Sequence, residues 1–436
     1  MSGLFGIYGH PDAKGLIGRG MFALQHRGDD SAGIAISNGK KLIVHKGFGP
    51  VKLVLSKEKT KTFHGNMALG QVQDGFCGIE EIEPVYVSHL GQEIAIVFNG
   101  GFKNADVLRK SLWKKGTIFR TNSEAEIILH LLAQTREKDL SKALVKVLSR
   151  QVEGGYSLIL MTQDKMIAVR DQAGIRPLCS GRLNESYVFA SETSALKTIG
   201  ATRIKKIIPG QIITVSQKGQ ENYAINSNHK AKLSHCIFEL IYYSLPSSIF
   251  ANEEVSVFQR RAGIKLAQES FIPPADLIMS TPDSANFNAL GFSKQAGIPI
   301  DIGLIRNHAT QPGEMLKDKF SITESVVRGK RIILVDDSFV QGFTMRTIIA
   351  MLRKAGAKEI HLRIASPPVI KSSCYCGVQF PSQKKLIAST KTAEEIREFI
   401  GADTLKFLSI GGLLSCVKCP NDFCIACFAG DHSIIP

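Results

Sequence analysis

The sequence has no apolar run of about 18 residues, so no membrane-crossing helix is expected. Its N-terminus, MSGLFGIYGHPDAKG, lacks a basic stretch followed by a long apolar one. No secretory signal is read there, and the expectation is a cytoplasmic protein with no membrane partner. No internal repeat and no low-complexity tract is visible. Hydrophobic residues at 44% and charged residues at 21% exclude a largely disordered chain, a collagen and a coiled coil. Acid is in short supply: 39 Asp and Glu stand against 54 Lys and Arg, a formal net charge of +15. That balance favours anionic partners such as nucleic acid, an acidic surface or a phosphorylated small molecule. Nucleic acid is set aside, because no basic patch interleaved with aromatics is present. The nine cysteines lie at 77, 179, 236, 374, 376, 416, 419, 424 and 427. An odd count in a reducing compartment makes disulfides unexpected, and a metal or cluster better explains the crowded C-terminal end.

A chain of 436 residues holds about two to four domains, and two is the economical reading. Residues 1 to about 225 carry short apolar or alternating runs: 4–9, 32–37, 41–47, 93–100, 156–164 and 211–216. These read as strands, with turns at Asn38-Gly39 and Asn99-Gly100. Helices are expected over 104–114 and 123–135, the second capped by Asn122 or Ser123. Strand runs with helix pairs point to a layered α+β domain. A polar stretch, 220–232, reads as a linker. Beyond it a helix is expected at 252–269, then a strand at 275–283, a helix at 284–296, and strands at 298–305 and 331–337. A helix at 344–355 and a strand at 359–366 follow. Strand–helix alternation with β-branched strands argues for a buried parallel sheet.

The strongest motif is RIILVDDSFVQGFT, residues 331–344. An apolar strand ends in two carboxylates, and a short glycine-containing loop runs into a helix. That place, the carboxyl end of a parallel strand, is where open α/β sheets bind ligands. Loop N–H groups and the helix N-terminus suit a phosphate, with Ser338 and Thr344 adding hydroxyls. Asp336 and Asp337 can accept hydrogen bonds from two vicinal ribose hydroxyls.

This pattern matches the type I phosphoribosyltransferase signature. The whole chain resembles the glutamine phosphoribosylpyrophosphate (PRPP) amidotransferases, in their Bacillus-like iron–sulfur form. The resemblance covers SGLFGIYGH, ALQHRGDDSAGIA, FNGGF, GIRPL, SET, HCIFELIY, STPDSAN, the DDS loop and CIACF. It implies an α+β N-terminal-nucleophile glutaminase-like domain of four αββα layers, residues 1–230. It further implies an α/β type I phosphoribosyltransferase domain with a parallel sheet, residues 231–436, ending in a cluster-binding tail. In that family ammonia from glutamine displaces pyrophosphate from PRPP, with Mg²⁺. The PRPP contacts it implies are Ser338, Phe339, Val340, Gln341, Gly342, Phe343 and Thr344, the pyrophosphate-side loop Thr281, Pro282, Asp283 and Ser284, and Arg306 and Lys319. Asp336 and Asp337 are the implied catalytic pair. A homo-oligomer is also implied.

The departures from the family are concentrated. The family nucleophile is a cysteine after the initiator Met; here it is Ser2. Serine lacks the intrinsic nucleophilicity and low pKa of a thiol. A family segment like GHxRYAT holds the glutamine carboxylate with its arginine; here LGQVQDGF puts Gln73 at that place, with Asp74 beside it. A neutral amide cannot form the bidentate charge-assisted pair. The family's substrate-binding Asp is Glu124. Asn99 and Gly100, the implied oxyanion hole, remain. The glutaminase is therefore expected to be inactive. In the second domain DDSIVRGTT becomes DDSFVQGFT, and a flexible loop like KNRYVGRTFIQP shrinks to Arg306–Pro312. A shorter lid leaves the site open to an acceptor larger than ammonia. The divergence resembles the PRPP-dependent O-phosphoribosyltransferases of ribosylated, butirosin-type aminoglycoside biosynthesis, which implies a small-molecule acceptor of the neamine kind. An inactive regulatory paralogue and an ammonia-dependent phosphoribosylamine synthase are the alternatives. Cys236, Cys374, Cys424 and Cys427 match the family's cluster ligands, and four thiolates suit [4Fe–4S] or zinc.

Overall fold

The computed structural model describes residues 2–56, 58–75, 78–89, 91–225, 232–307, 316–372, 376–377 and 382–430. The chain divides into two compact units. The first runs to Cys236 and takes in Cys376 and Gly377; the second starts at Ile237.

In the first unit two antiparallel sheets stack face to face. The seven-stranded sheet is ordered Thr202–Lys206, Cys179–Leu183, Ser186–Ala190, Ser2–Tyr8, Met67–Gln73, Ser31–Ser37, Leu42–Phe48. The six-stranded sheet is ordered Gly219–Ala224, Gln211–Ser216, Met166–Arg170, Gly154–Met161, Gln92–Phe102, Val85–His89. Strand side chains alternate between layers. Leu4 enters the sheet–sheet interior with Leu69, Val97 and Ile159. Its neighbours Phe5 and Ile7 pack beneath helix Ala13–Phe22 with Ile17 and Met21. Helices Ala105–Lys114, Glu124–Ala133 and Leu140–Arg150 cover the other sheet through Leu112, Ile128 and Leu144. The result is four αββα layers. A strand covered on both faces reads as a continuous apolar run rather than an alternation.

Two expectations are corrected here. Asn99-Gly100 is not a turn: strand Gln92–Phe102 continues through it, pairing Asn99 with Ser157 and Gly100 with Tyr156. Gly100 holds φ +147°, and a Cβ there would lie 2.2 Å from the Gly155 carbonyl oxygen, so its glycine serves a close strand approach. The expected linker is strand Gly219–Ala224 up to 224, paired with Gln211–Ser216; 226–231 lie outside the described residues. The Asn122-or-Ser123 cap resolves to Ser123, whose hydroxyl accepts from the Ala125 N–H.

The second unit holds a parallel sheet ordered Leu277–Ser280, Arg331–Asp336, Glu359–Ile364, Thr404–Phe407, with Ile300 bridging beside Ile278. Ile332, Leu334, Ile360 and Leu362 are fully buried, and helix Phe343–Lys354 covers them with Ile348 and Leu352. The expected strand at 298–305 is broken. After the bridge at Ile300 only Leu304–Arg306 is a strand, paired antiparallel with Phe320–Ile322. The expected helix at 252–269 starts at Val255, because Ala251 and Asn252 turn a tight hairpin at φ 49° and 66°.

Helices Val255–Glu269 and Asn286–Ala296 meet at Gly263 and Gly291. A Cβ on Gly263 would lie 1.9 Å from the Asn288 carbonyl oxygen. Alanine in a helix interior normally gains about 0.5–1 kcal/mol over glycine. Here overpacking reverses the sign: Gly263→Ala is expected to cost about 2–3 kcal/mol. Thermal unfolding checks it, and an unchanged or higher Tm would contradict the packing.

Candidate functional site

At the parallel-sheet end, Ser280 and Asp336 close neighbouring strands in register, Ser280 opposite Val335. The loops that follow therefore leave side by side from carboxyl ends. The Thr281 N–H donates to the Val335 carbonyl at 2.9 Å and ties them together. The Pro282–Asp283 peptide is cis. Asp336 accepts from the Asp337 N–H at 3.0 Å, and the Ser338 hydroxyl donates to Asp337 at 2.6 Å. Burial, with Asp337 beside it, pushes Asp336 well above the usual carboxylate range. Burial also lifts Asp337 to about 6, against hydrogen bonds from Ser284 and Ser338. The two carboxyls titrate as a pair. The pair can face a divalent cation or accept hydrogen bonds from two ribose hydroxyls, so their chemistry fits Mg²⁺-PRPP.

The loop itself splits its residues. Phe339 is 3% exposed and packs edge-on against Phe407, so it anchors the loop rather than facing a ligand. The Val340 carbonyl accepts from the Ile387 N–H. Gln341 is half-buried, while Phe343 and Thr344 are exposed at the first turn of helix Phe343–Lys354, which Gly342 caps at φ +79°. A pocket of about 240 Å³ opens at the 281–284 loop instead, and Pro282, Asp283 and Arg306 line it together with Asn286 and Asp301. Lys319 sits across the short hairpin, its carbonyl accepting from the Asn307 N–H at 2.9 Å. His308, a candidate base by position, and most of the shortened loop, 308–312, lie outside the described residues.

The first unit carries a second pocket of about 240 Å³. Ser2, Gln73, Asn99, Gly100 and Glu124 all line it, so the residues of the former glutaminase site are brought together. Sequence reasoning misses three partners: Gln71, Glu81 and Glu83. Gln71 had a signal, since the family segment has histidine at that place. Its Nε2 donates to the Ser2 hydroxyl at 3.1 Å, and its Oε1 accepts from the Phe98 N–H. Ser2 is 9% exposed, with its carbonyl held by Arg27. Its oxygen thus accepts from the Gln71 amide. Glu83 is buried, accepting from the Phe98 N–H and from the Ser123 hydroxyl at 2.6 Å, and burial lifts it to about 8. Burial also raises Glu124, against Arg109 nearby. Asp74 lies clear of the lining, beside Asp29 and Asp30.

Ser2→Cys is accordingly expected to leave glutamine hydrolysis at background. The thiolate would sit in a pocket without a cationic clamp for the substrate carboxylate. A glutamate-release assay checks this, and turnover above background would overturn it.

Among the cysteines, Cys236 is buried in the first unit and Cys424 and Cys427 in the second. Cys427's carbonyl accepts from the Ile370 and Lys371 N–H groups. Cys374 itself lies outside the described residues. Buried sulfur donors are chemically suited to iron or zinc. The Cys416 thiol donates to the Gly412 carbonyl at 3.2 Å, and burial pushes it to about 11. Among the described residues no helix is long and apolar enough to cross a membrane.

Comparison with known proteins agrees with this architecture. A glutamine amidotransferase domain model matches residues 80–198, and a phosphoribosyl transferase domain model matches residues 289–365. The amidophosphoribosyltransferase of Bacillus subtilis is 37% identical over 99% of this chain and 93% of its own length. Amidophosphoribosyltransferase 1, chloroplastic, of Arabidopsis thaliana is 38% identical over the whole chain and 79% of its own. The solved glutamine PRPP amidotransferase of B. subtilis, complexed with ADP and GMP, superimposes with TM-score 0.91 over 99% of this chain and 97% of that one. An N-terminal-nucleophile amidotransferase unit and a type I phosphoribosyltransferase unit thus share one chain, and the chain belongs to the glutamine PRPP amidotransferase family.

Proposed function

We propose that this chain transfers 5-phosphoribose from PRPP to a hydroxyl of an aminoglycoside-type amine, without using glutamine. One observation carries the reading. The pocket where the family would split glutamine has a serine hydroxyl held by Gln71 and, among the described residues, no Lys or Arg in its lining, while the aspartate pair is intact. The bond from C1 of ribose to pyrophosphate breaks, and a bond from C1 to the acceptor oxygen forms. The hydroxyl proton leaves, and Asp336, Asp337 and His308 are the candidate bases by position. Bound Mg²⁺ supplies positive charge to the departing pyrophosphate.

The test is pyrophosphate release from PRPP and Mg²⁺ with neamine, ammonium or glutamine in separate arms. Release with neamine alone supports the reading. Release with ammonium instead returns the chain to the chemistry of its amidophosphoribosyltransferase relatives and overturns it. Silence in every arm, with PRPP still bound, favours a regulatory paralogue. We also read Cys236, Cys374, Cys424 and Cys427 as [4Fe–4S] ligands. Anaerobic purification checks that, four irons with labile sulfide being expected and one zinc refuting it.

A further inference from the structure

The first-unit pocket holds about 240 Å³ and, among the described residues, carries no basic side chain in its lining. Its lining contains three carboxyl groups, Glu81, Glu83 and Glu124, and among the described residues no Lys, Arg or His. The partners of these groups are mostly neutral. Glu83 is met by the Phe98 N–H, the Ser123 hydroxyl and Gln71, with Glu124 near it. Glu81 accepts from the Asn122 amide. Glu124 is faced by Arg109 and by Asp106. The Arg109 guanidinium donates to the Thr121 and Ser123 carbonyls and stays out of the lining. In the same lining, Asn99 is 1% exposed and its Nδ2 has no acceptor.

We propose that this pocket is a binding site for a small hydroxylated amine that carries no carboxylate. The carboxyls supply the cation's partners, and the Asn99 N–H supplies a donor for a ligand oxygen. A buried polar group without a partner calls for an explanation, and a ligand oxygen in this pocket supplies one. A carboxylate on the ligand would meet three carboxyl groups and, among the described side chains of the lining, no cationic one. At about 240 Å³ the space suits a single substituted ring, below the ~300–1,000 Å³ of drug-sized sites. Burial keeps Glu83 and Glu124 protonated longer than usual, so an entering ammonium displaces a proton. Binding therefore releases protons and strengthens as pH rises toward about 8. The α-amine left on Ser2 by removal of Met1 would be a competing cation, so the N-terminus is first verified by mass.

This inference stands apart from the transferase reading, because the test is made without PRPP. The full chain is titrated calorimetrically with 2-deoxystreptamine, with myo-inositol as a neutral ring, and with glutamine and glutamate. Saturable binding of the diamine is expected, with proton release read from buffers of different ionisation enthalpy. Glu83→Gln and Glu124→Gln should each weaken it tenfold or more. Glutamine keeps an acceptor for the Phe98 N–H, and unfolding curves report whether each variant folds. If Glu83→Gln fails to fold, Glu124→Gln, at the half-buried start of its helix, decides. Equal affinity in the folded variants, equal binding of myo-inositol or glutamine, or no diamine binding overturns the proposal. Diamine binding with silent PRPP assays leaves this site standing and removes the transferase reading.

Discussion

Replacing both strand-end aspartates, Asp336→Asn with Asp337→Asn, is expected to lower PRPP-dependent pyrophosphate release by ~10³-fold or more, with the fold intact. The argument starts from strand Arg331–Asp336, whose interior side chains are buried between parallel neighbours. The strand delivers two adjacent carboxyls to the sheet end. Burial raises both, so neither charge stabilises the fold. Asparagine preserves shape and a carbonyl acceptor but removes the negative charge. The Ser338 hydroxyl and the Asp337 N–H each still find an acceptor. Tm should hold or rise while turnover collapses, which separates loss of chemistry from loss of fold. Steady-state pyrophosphate release and a melting curve check this, and turnover within tenfold of the parent would sink the site assignment. The same pair sets an acid limb. Turnover should fall as pH drops through about 6, where Asp337 takes up its proton.

The parts of the site that are legible in sequence are those where local chemistry and fold demand the same residue. The DDS loop needs an apolar strand, an acid pair and a glycine-capped helix in immediate succession, and all of it lies within 331–344. Ser123 likewise announces its helix, because a cap acts over two residues. Glu83 is illegible. In the run GIEEIEP it reads as one of several solvated acids, and only the folded chain carries it against the Phe98 N–H, 15 residues on. Asn99-Gly100 misleads, since the dipeptide that favours a hairpin also permits a close strand approach. Pairing with Ser157 and Tyr156 decides which applies. The register of Ser2 opposite Gln73 and its contact with Gln71 are tertiary facts too. The family motif hints at the positions but not at the hydrogen bond between them.

Glu83→Gln should make the protein more stable at alkaline pH and change it little in acid. Glu83 is buried, and its pKa is lifted to about 8 from an ordinary 4.5. The folded state therefore holds a proton that the unfolded chain has already released above its ordinary value. Below pH 4.5 both states are protonated and the group contributes no difference. As pH rises from there toward about 8, the folded protein must either keep its proton against solution or bury a charge. Stability is lost across that window, and the loss is complete once the folded carboxyl ionises. At ~1.4 kcal/mol for each tenfold change in proton affinity, the full loss is about 3–5 kcal/mol near pH 8.5. The glutamine of the variant carries no charge at any pH, so the variant escapes that penalty. The observable is the difference in Tm between variant and parent, compared at two pH values, which cancels any fixed change in hydrogen bonding. That difference should be larger at pH 8.5 than at pH 4.5 by about 5–10 °C. A difference independent of pH would mean that Glu83 ionises normally, and that the polar donors from Phe98 and Ser123 suffice to hold a carboxylate there. A saturating amine should erase the same difference by giving the parent's Glu83 a cation, which joins the stability of the first unit to occupancy of its pocket.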